Sequence, residues 1–458
     1  MGSRLAIFVG ALVVAGCAVK SPPDAATIKT EALPTVKVPP AWRPTAAGAP
    51  LAGEWLASFN DAQLTAAVNE AITHNADLRV AATRVEQAVL YAKQAGARLW
   101  PSVDLLARGG GKLSGDGSGL QGGVLTATWE LDLWGRVRSG RAAAAAGAAA
   151  AEADYTYARE SIAAQVARSW FIAIEAALQA EVARGTIRDS EALVALAQDR
   201  SRVGIGNDED VYVARANVGT GRDALRQLEL AREDAIRSLE LLLGRYPAAA
   251  AVVTADLPSV PETVPAGLPS ELLERRPDVI AAERRIAAAF HRVGEAKAAR
   301  LPTIALTTGV SSISSELFVL KDRNNPVWNL GASLLMPLFR GGALKTQVEI
   351  RTAEQKQAVA EYAAIGLRAF GEVESALSAE FAAREREQIL TQTMADNQRA
   401  LDIVRTQFKV GSTDLRFVTQ RQLALLSTQS ALVRMRTEQR IQRVNLHTAL
   451  GGSFEARR

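Results

Sequence analysis

The sequence contains little of what metal sites, redox sites and disulfide-bonded folds require. Its 458 residues include one cysteine and three histidines, and the histidines, at positions 74, 291 and 447, lie far apart. A single cysteine excludes a disulfide framework, a zinc site built on several thiolates and a CxxC redox pair, and scattered histidines form no metal motif. The sequence therefore predicts a protein without a metal site.

The chain also has no large excess of either positive or negative charge. The chain has 53 basic and 49 acidic residues, a net charge of +4, and this near balance predicts no nucleic-acid partner. Catalytic signatures are missing, because none of the patterns HExxH, GxSxG and GxxxxGKS/T occurs. We therefore predict that the protein is not an enzyme. It does have apolar residues, 48% of the total, which are enough to form a core.

The first sixteen residues have the pattern of a signal peptide. Arg4 precedes an apolar run from Leu5 to Gly16, which is shorter than the ~20 residues that a membrane-spanning helix needs. The run ends in Val14-Ala15-Gly16-Cys17, which resembles a bacterial lipobox, and this predicts that Cys17 is lipidated. A free thiol after an ordinary secretory signal is the alternative.

Prolines mark the organisation of the chain, because a proline fixes φ and interrupts helices. Seven of the 17 prolines lie between Pro22 and Pro50, and six more lie between Pro247 and Pro277. We interpret both stretches as extended connectors, whereas the long proline-free tracts after Pro101 and Pro337 suit very long helices. The predicted segments are a signal peptide 1–16, a lipidated extended N-terminus 17–60, a first repeat 61–246, a connector 247–277, a second repeat 278–451 and a tail 452–458.

The two halves of the chain repeat each other. Asp77-Leu78 and Asp278-Val279 are 201 residues apart, whereas Val203-Gly204 and Val410-Gly411 are 207 residues apart. The second half has therefore gained six residues between these motifs. A period near 200 residues is too long for a solenoid unit, so it predicts a pseudo-symmetric molecule with two equivalent halves.

Each half contains two predicted strands, at 102–107 and 124–133 in the first and at 303–310 and 328–338 in the second. Strict alternation predicts a strand with one apolar and one wet face. On the clearest strand the apolar face carries Leu125, Ala127, Trp129, Leu131 and Leu133, and the wet face carries Thr126, Thr128, Glu130 and Asp132.

Tryptophans lie near the ends of these apolar faces, as is typical of an outer-membrane β-barrel; two hairpins packed on a soluble core are the alternative. The smallest transmembrane barrels have ~8 strands, and an unpaired strand edge cannot face lipid. Four strands must therefore be completed by other chains, which predicts a homo-oligomer with a shared barrel.

Four long helices are predicted at 135–203, 210–243, 341–410 and 414–450. The first would span ~100 Å at 1.5 Å per residue, and such lengths suggest coiled coil; a long soluble bundle is the alternative. Gly204 and Gly411 suit the sharp turns after the longest helices. We expect Asp208, and Ser412 or Thr413, to be the N-caps of the returning helices.

Together, the lipobox, the duplicated unit and the turn motif, Val203-Gly204 followed by Asp210-Val211, resemble the outer-membrane factor family. These are the TolC-like exit ducts of bacterial tripartite efflux pumps, and the chain resembles their lipoprotein branch. The resemblance implies a mainly α fold with a membrane β-barrel: a homotrimer whose four strands per chain complete a 12-stranded barrel, continued by a long coiled-coil α-barrel in the periplasm. It also implies an outer-membrane, lipid-anchored location and a periplasmic adaptor and an inner-membrane proton-driven pump as partners.

The resemblance also assigns candidate sites. The helix-turn-helix tips are where the adaptor docks, and they correspond here to Val203, Gly204, Ile205, Val410, Gly411 and Ser412. Family members often carry gate aspartates six and nine residues after the second tip glycine, but this chain has Phe417 and Gln420 there. Our hypothesis is a gate of Phe417 and Gln420 bordered by Asp414, Arg416 and Arg421, with Asp210 retained in the first tip. The wet strand face at 126–132 would line the lumen.

The function that this resemblance implies is a passive duct that binds no cofactor and conducts small toxic compounds from the periplasmic pump to the outside. Two alternatives stay open on the sequence alone. One is the outer-membrane duct of a type I protein secretion system, and the other is a lipid-anchored coiled-coil spacer without an open lumen.

Overall fold

The structure is a computed structural model of the chain. It describes residues 19–42, 54–108, 121–254, 256–260, 269–314 and 327–455. The signal peptide and Cys17 lie outside these residues, so both stay predictions. The described chain is mainly helical with four β-strands, as the sequence predicts.

The elements occur in the same order in the two halves. After helix α1 (Ala25–Ala32) and helix α2 (Ala62–His74), each half has a 22-residue helix, two strands, a 67-residue helix and a 35-residue helix. The first half has α3 (Ala76–Ala97), β1 (Ser102–Arg108), β2 (Gln121–Leu131), α4 (Arg136–Arg202) and α5 (Asp208–Leu242). The second half has α6 (Pro277–Ala298), β3 (Thr303–Ser314), β4 (Val327–Leu335), α7 (Ala343–Lys409) and α8 (Leu415–Ala449). One short turn of helix, Leu272–Arg275, precedes α6.

The long helices begin and end within two residues of the predicted positions, and the small differences have local causes. Helix α4 begins at Arg136 and not at Gly135, because Gly135 has a φ of +73°, which lies outside the right-handed helical region. Alanine, the best helix former, dominates the start of this helix from 142 to 151. Local sequence therefore accounts for both its length and its first residue.

The four strands form one antiparallel sheet in the order β1-β2-β3-β4. The two predicted hairpins pair internally, and β2 also pairs with β3 over its whole length, with Leu125 opposite Val310 and Trp129 opposite Leu306. The sheet thereby joins the two halves of the repeat. Strands β1 and β4 each have one neighbour in the sheet, so the sheet has two open edges among the residues that the structure describes.

The register places the predicted apolar positions on one face of the sheet. Leu105 of β1 lies opposite Leu125 of β2, which lies opposite Val310 of β3, which in turn lies opposite Trp328 of β4. The alternation on β2 therefore continues across all four strands. Much of this face is exposed in the single chain, with Leu105 72% and Trp328 77% exposed.

Two strand predictions extend too far. Strand β2 ends at Leu131, so Asp132 and Leu133 are not part of its faces; the carboxylate of Asp132 instead accepts a hydrogen bond from the Val137 N–H at the start of α4, at 3.0 Å. Strand β4 ends at Leu335, before Pro337, which has no N–H to offer to a strand ladder.

The chain folds into two compact units, and each takes segments from both repeats. The first comprises residues 1–36, 82–154 and 278–365, and the second comprises residues 37–81, 155–277 and 366–458. Within the first unit, the Trp134 indole N–H donates to the Pro302 carbonyl at 2.7 Å, and Arg285 pairs with Asp154 at 2.5 Å.

The second unit has an aromatic core. Trp55 and Phe59, each 1% exposed, pack with Phe171, which is fully buried, and the Phe59 and Phe171 rings lie 5.2 Å apart. Within the part of the chain that the structure describes, no helix is both long and apolar enough to cross a membrane.

Candidate functional site at the helical tips

The two tips lie in the second unit, and both turns are closed by the same backbone motif. At the first tip the Gly204 N–H donates to the Ser201 carbonyl at 3.1 Å, and the Ile205 N–H donates to the Arg200 carbonyl at 3.0 Å. Gly204 has a φ of +76°, a conformation that glycine adopts without steric cost. This pair of bonds around a left-handed glycine is a Schellman motif, and it satisfies the last carbonyls of helix α4.

The second tip repeats the motif 207 residues later. The Gly411 N–H donates to the Phe408 carbonyl at 3.1 Å, and the Ser412 N–H donates to the Gln407 carbonyl at 2.9 Å. Gly411 has a φ of +83°. The structure thus places all six predicted tip residues in two equivalent turns.

The predicted N-caps are wrong at both tips. Asn207, not Asp208, is the N-cap of α5, and its side-chain oxygen accepts from the Asp210 N–H at 2.8 Å. The N-cap of α8 is Asp414, not Ser412 or Thr413. The hydroxyl of Ser412 is directed back to the Gln407 carbonyl at 3.1 Å. The Asp208 carboxylate accepts from the Ser201 hydroxyl at 2.7 Å, so these side chains close the turns and do not cap the helices.

Three apolar side chains at the tips are exposed: Val203 at 64%, Ile205 at 61% and Val410 at 73%. A single exposed apolar residue needs no explanation. These three belong to two turns that are joined directly, because Arg200 hydrogen-bonds to the backbone of both. The tips therefore offer a small apolar surface that the described residues leave uncovered.

Arg200 is the residue that sequence reasoning missed. Its Nη1 donates to the Phe408 carbonyl at 2.5 Å, and its Nη2 donates to the Ile205 carbonyl at 3.1 Å. The guanidinium lies 4.6 Å from the centre of the Phe408 ring, and the residue is only 9% exposed. One signal in the sequence could have identified it: the 207-residue offset pairs Arg200 with Gln407, so the repeat is broken at this position.

A small core fixes the helices directly behind the tips. It is composed of buried apolar side chains from all four long helices: Leu193, Ala214, Leu401, Phe408, Leu415, Val418 and Leu425. On α8 the buried residues Leu415, Val418 and Leu425 lie on one stripe. Phe417 lies off this stripe and is 45% exposed, so it is not part of the core of this chain.

The proposed gate residues of α8 begin in its first turn. Asp414 pairs with Arg416 at 3.2 Å, and the Arg416 guanidinium lies 5.4 Å from the centre of the Phe417 ring. Gln420 and Arg421 follow and are exposed. The gate candidates of this helix thus share its exposed surface, where they can face another chain or a lumen.

Asp210 of α5 is half-buried and electrostatically linked to both tips. Burial raises the pKa of its carboxyl group, the nearby Arg200 opposes this shift, and the carboxylates of Asp414 and Glu209 add to it. The two tip aspartates therefore repel each other weakly, and Arg200 lies close enough to moderate that repulsion.

The predicted lumen residues of the first unit divide into two groups. Thr126, Thr128 and Glu130 lie on the polar face of β2, as predicted. Glu130 pairs with Arg136 at 2.5 Å, at the start of α4. Asp132 lies beyond the strand, and its carboxylate accepts from the Arg138 N–H at 2.8 Å, which is favourable because a helix N-terminus carries partial positive charge.

Among the residues that the structure describes, no group of three histidine, cysteine, aspartate or glutamate side chains is arranged to hold a metal ion. The acidic residues near the first tip therefore form no metal centre within the described chain.

The chain matches a family model described as "Outer membrane efflux protein" at residues 67–245 and 268–452. It is 30% identical over 410 residues to the cation efflux system protein CusC of Escherichia coli O6:H1, which covers 88% of each chain. It is also 30% identical over 439 residues to the pyoverdine export outer membrane protein OpmQ of Pseudomonas aeruginosa, which covers 92% of each.

Solved structures are similar over a comparable extent. The outer-membrane channel OprN superimposes with a TM-score of 0.82 at 26% identity, covering 92% of this chain and 99% of that one. Both tips and the four-stranded sheet described above lie within the two matched segments of the family model.

Proposed function

The chain belongs to the outer membrane efflux protein family, and we propose that it is the outer-membrane exit duct of a tripartite efflux pump, which conducts small toxic compounds from the periplasm to the outside. The family and the likeness to an outer-membrane channel confirm the efflux channel that the sequence predicted. The proposal adds the passive mode of transport, the cargo class and the partners.

The observation that carries the proposal is the four-stranded sheet with its open edges. One face is largely apolar across all four strands and is exposed on β1, β2 and β4, as lipid requires. Within the described residues, β1 and β4 each have one open side. Because open edges cannot face lipid, copies of the chain must pair edge to edge. Three copies of four strands close a 12-stranded barrel, which supports a homotrimer in contact with outer-membrane lipid.

The tips support docking of a periplasmic adaptor. We assign Val203, Gly204 and Ile205, together with Val410, Gly411 and Ser412, to this surface, because its apolar side chains are exposed and the Schellman turns hold its backbone rigidly. The adaptor would connect the duct to an inner-membrane proton-driven pump. That pump would provide the energy, so the duct itself performs no catalysis and needs no cofactor.

We place the gate just behind the tips. Phe417 and Gln420 would narrow the lumen by apolar contact and hydrogen bonding, bordered by Asp414, Arg416 and Arg421, with Asp210 on α5. Exposure of the α8 residues in the single chain supports this placement. In the first unit, Thr126, Thr128 and Glu130 would line the barrel lumen, with Asp132 at its rim. Cys17 would carry the lipid.

The similarity to two relatives with different cargo supports a duct that does not select its cargo. The names of CusC and OpmQ assign cations to one and pyoverdine to the other, yet this chain is 30% identical to each. A passive duct explains this combination, because its partner pump selects the cargo. We therefore assign a cargo class, small toxic compounds, and no single substrate.

Reconstitution of the purified full-length protein in a planar bilayer tests the proposal. We expect discrete ion-conducting steps from a trimeric species. A lipid-anchored spacer would give no conductance under any condition, and that result would overturn the duct. A gene deletion that blocks secretion of a protein without increasing sensitivity to dyes, antibiotics or metals would instead show a type I secretion duct.

A further inference from the structure

Helix α6 packs on the start of helix α4 within the chain. Arg285 of α6 pairs with Asp154 of α4 at 2.5 Å. Farther along, a Cβ built on Gly294 of α6 would lie 3.7 Å from the Cβ of Ser139 of α4. Residue numbers rise on one helix while they fall on the other, so the two helices are antiparallel. The contact therefore brings together one stripe of each helix.

Both helices have an equivalent in the other repeat. Helices α3 and α6 have 22 residues each and begin 201 residues apart, and α4 and α7 have 67 residues each and begin 207 residues apart. These offsets match Arg285 with Arg84 and Asp154 with Glu361. The two charges of the contact are therefore present, with the same signs, on α3 and α7.

The matching stripe of α3 is exposed. Its residues lie three or four positions apart and so share one face of the helix: Arg84, Gln87, Tyr91 and Gln94. A neighbouring face of α3 is already used, because Gly96 lies against the side chain of Arg141 of α4. In α6, by contrast, Ala288, the equivalent of Gln87, is 5% exposed. The described residues thus cover this stripe on α6 and leave it open on α3.

Helix α7 has the complementary open stripe. Four exposed residues follow each other at helical spacing: Thr346, Ile350, Gln357 and Glu361. Ile350 is 47% exposed, whereas its equivalent on α4, Ala143, is 4% exposed. Ser139 and Ala150, the equivalents of Thr346 and Gln357, are also buried. The stripe that α4 uses for α6 is therefore free on α7 within the described residues.

We propose that these two stripes meet between copies of the chain: the stripe of α3 in one copy packs on the stripe of α7 in the next copy, and Arg84 pairs with Glu361. The inference rests on the proposed homotrimer and adds a helical surface to it. Two features favour a second copy as the occupant, the opposite charges of the two stripes and the equivalent contact inside the chain. A contact that joins different surfaces of two identical chains can close into a ring, in which the step between copies repeats the step between repeats.

Disulfide cross-linking of the full-length protein tests the contact. The offsets match Gly294 with Lys93 and Ser139 with Thr346, so the Cβ atoms of these two residues should lie about 4 Å apart between copies, as a disulfide requires. We expect the double variant Lys93→Cys with Thr346→Cys to form covalent dimers and trimers on oxidation, resolved by non-reducing electrophoresis.

The matched control is Lys93→Cys with Lys345→Cys, because neighbouring residues of a helix point about 100° apart. It should give about tenfold less cross-linked product, and each single cysteine variant reports the background from Cys17. A double variant that stays monomeric on oxidation, or that forms its disulfide within one chain, would overturn the contact.

Charge reversal tests the ion pair. Arg84→Glu and Glu361→Arg each place like charges at the contact, and we expect either to weaken association of the copies about fivefold. The double variant should restore association, because each copy then offers the opposite charge to its neighbour. Arg79→Glu makes the same change on another face of α3 and is the control. The ratio of trimer to monomer in detergent measures association.

A double variant as weakly associated as the single ones would overturn the ion pair. Failure of the duct is a different result: a protein that cross-links between copies but does not conduct in a planar bilayer would keep the contact and overturn the proposed transport.

Discussion

The carboxylate of Glu160 accepts a hydrogen bond from the backbone N–H of Phe454, 3.1 Å away, and so ties the middle of α4 to the C-terminal segment. Burial raises the pKa of Glu160 to about 7, although the bonds from Phe454 and Ser453 and the charge of Arg159 act in the opposite direction. A group that titrates near neutrality thus holds the C-terminal end of the described chain.

This pKa predicts a pH-dependent stability. Glu160 binds its proton more tightly in the folded state than in the unfolded state, where its pKa is 4.5, so its contribution to stability falls as the pH rises from 4.5 to about 7. Glu160→Gln cannot ionise and keeps an acceptor oxygen. We expect the melting temperature of this variant, relative to the wild type, to be higher at pH 8 than at pH 5.

The matched control is Glu181→Gln, also on α4, whose side chain is 61% exposed. Its melting temperature should follow that of the wild type at both pH values. If Glu160→Gln does the same, Glu160 is not the titrating group.

A buried ion pair predicts a large destabilisation. Arg443 is 1% exposed and pairs with Glu380, which is 6% exposed and also accepts from Arg384 at 2.8 Å. Arg443→Met leaves a poorly compensated carboxylate in the core, which should cost about 3 kcal/mol of unfolding free energy. Replacing both partners, as Glu380→Leu with Arg443→Met, should recover most of that loss. Denaturant unfolding of the wild type and the two variants measures the loss, and a double variant as unstable as the single one would contradict the prediction.

Two glycines in different backbone conformations predict opposite effects of the same substitution. Gly411→Ala places a Cβ at a φ of +83°, which should cost about 1–2 kcal/mol. Gly219→Ala adds the same methyl group inside helix α5, where it would meet nothing within 4 Å, and should stabilise by up to about 1 kcal/mol. Thermal unfolding of the two variants measures the difference, and a shift of the same sign in both would contradict the left-handed turn.

The gate hypothesis predicts an effect of Phe417 on conductance. Phe417→Ala removes a large side chain that is 45% exposed, so the constriction should widen and single-channel conductance should rise. Ile403→Ala is the control, because Ile403 is 59% exposed on α7 and lies outside the proposed gate. Conductance equal to that of the control would rule out a gating role for Phe417.

Much of the architecture follows from the sequence because it depends on local chemistry. The proline-free tracts predict the 67-residue helices, since no proline interrupts them. The alternation on 125–131 predicts the apolar face of β2, because side chains on a strand point to opposite sides with period two. Gly204 and Gly411 predict the tip turns, because glycine readily adopts a left-handed C-terminus.

Other features were decided by tertiary structure. The pairing of β2 with β3, which joins the two repeats into one sheet, depends on contacts between strands about 180 residues apart. The burial of Glu160 and of the Arg443–Glu380 pair depends on which helices pack together. Asp132 has a strand-like position in the sequence, but it caps a helix because β2 ends one residue earlier.

Arg200 illustrates the difference between what local sequence determines and what tertiary contacts determine. In the sequence, Arg200 is one more arginine in the last turn of a predicted helix, where a positive charge is common. Its partner Phe408 lies 208 residues away, and only folding brings that carbonyl within 2.5 Å. By itself the sequence determined the repeat, the elements and the family, because these depend on local patterns. The tertiary structure decided how the two tips are joined, because that depends on the meeting of distant backbone atoms.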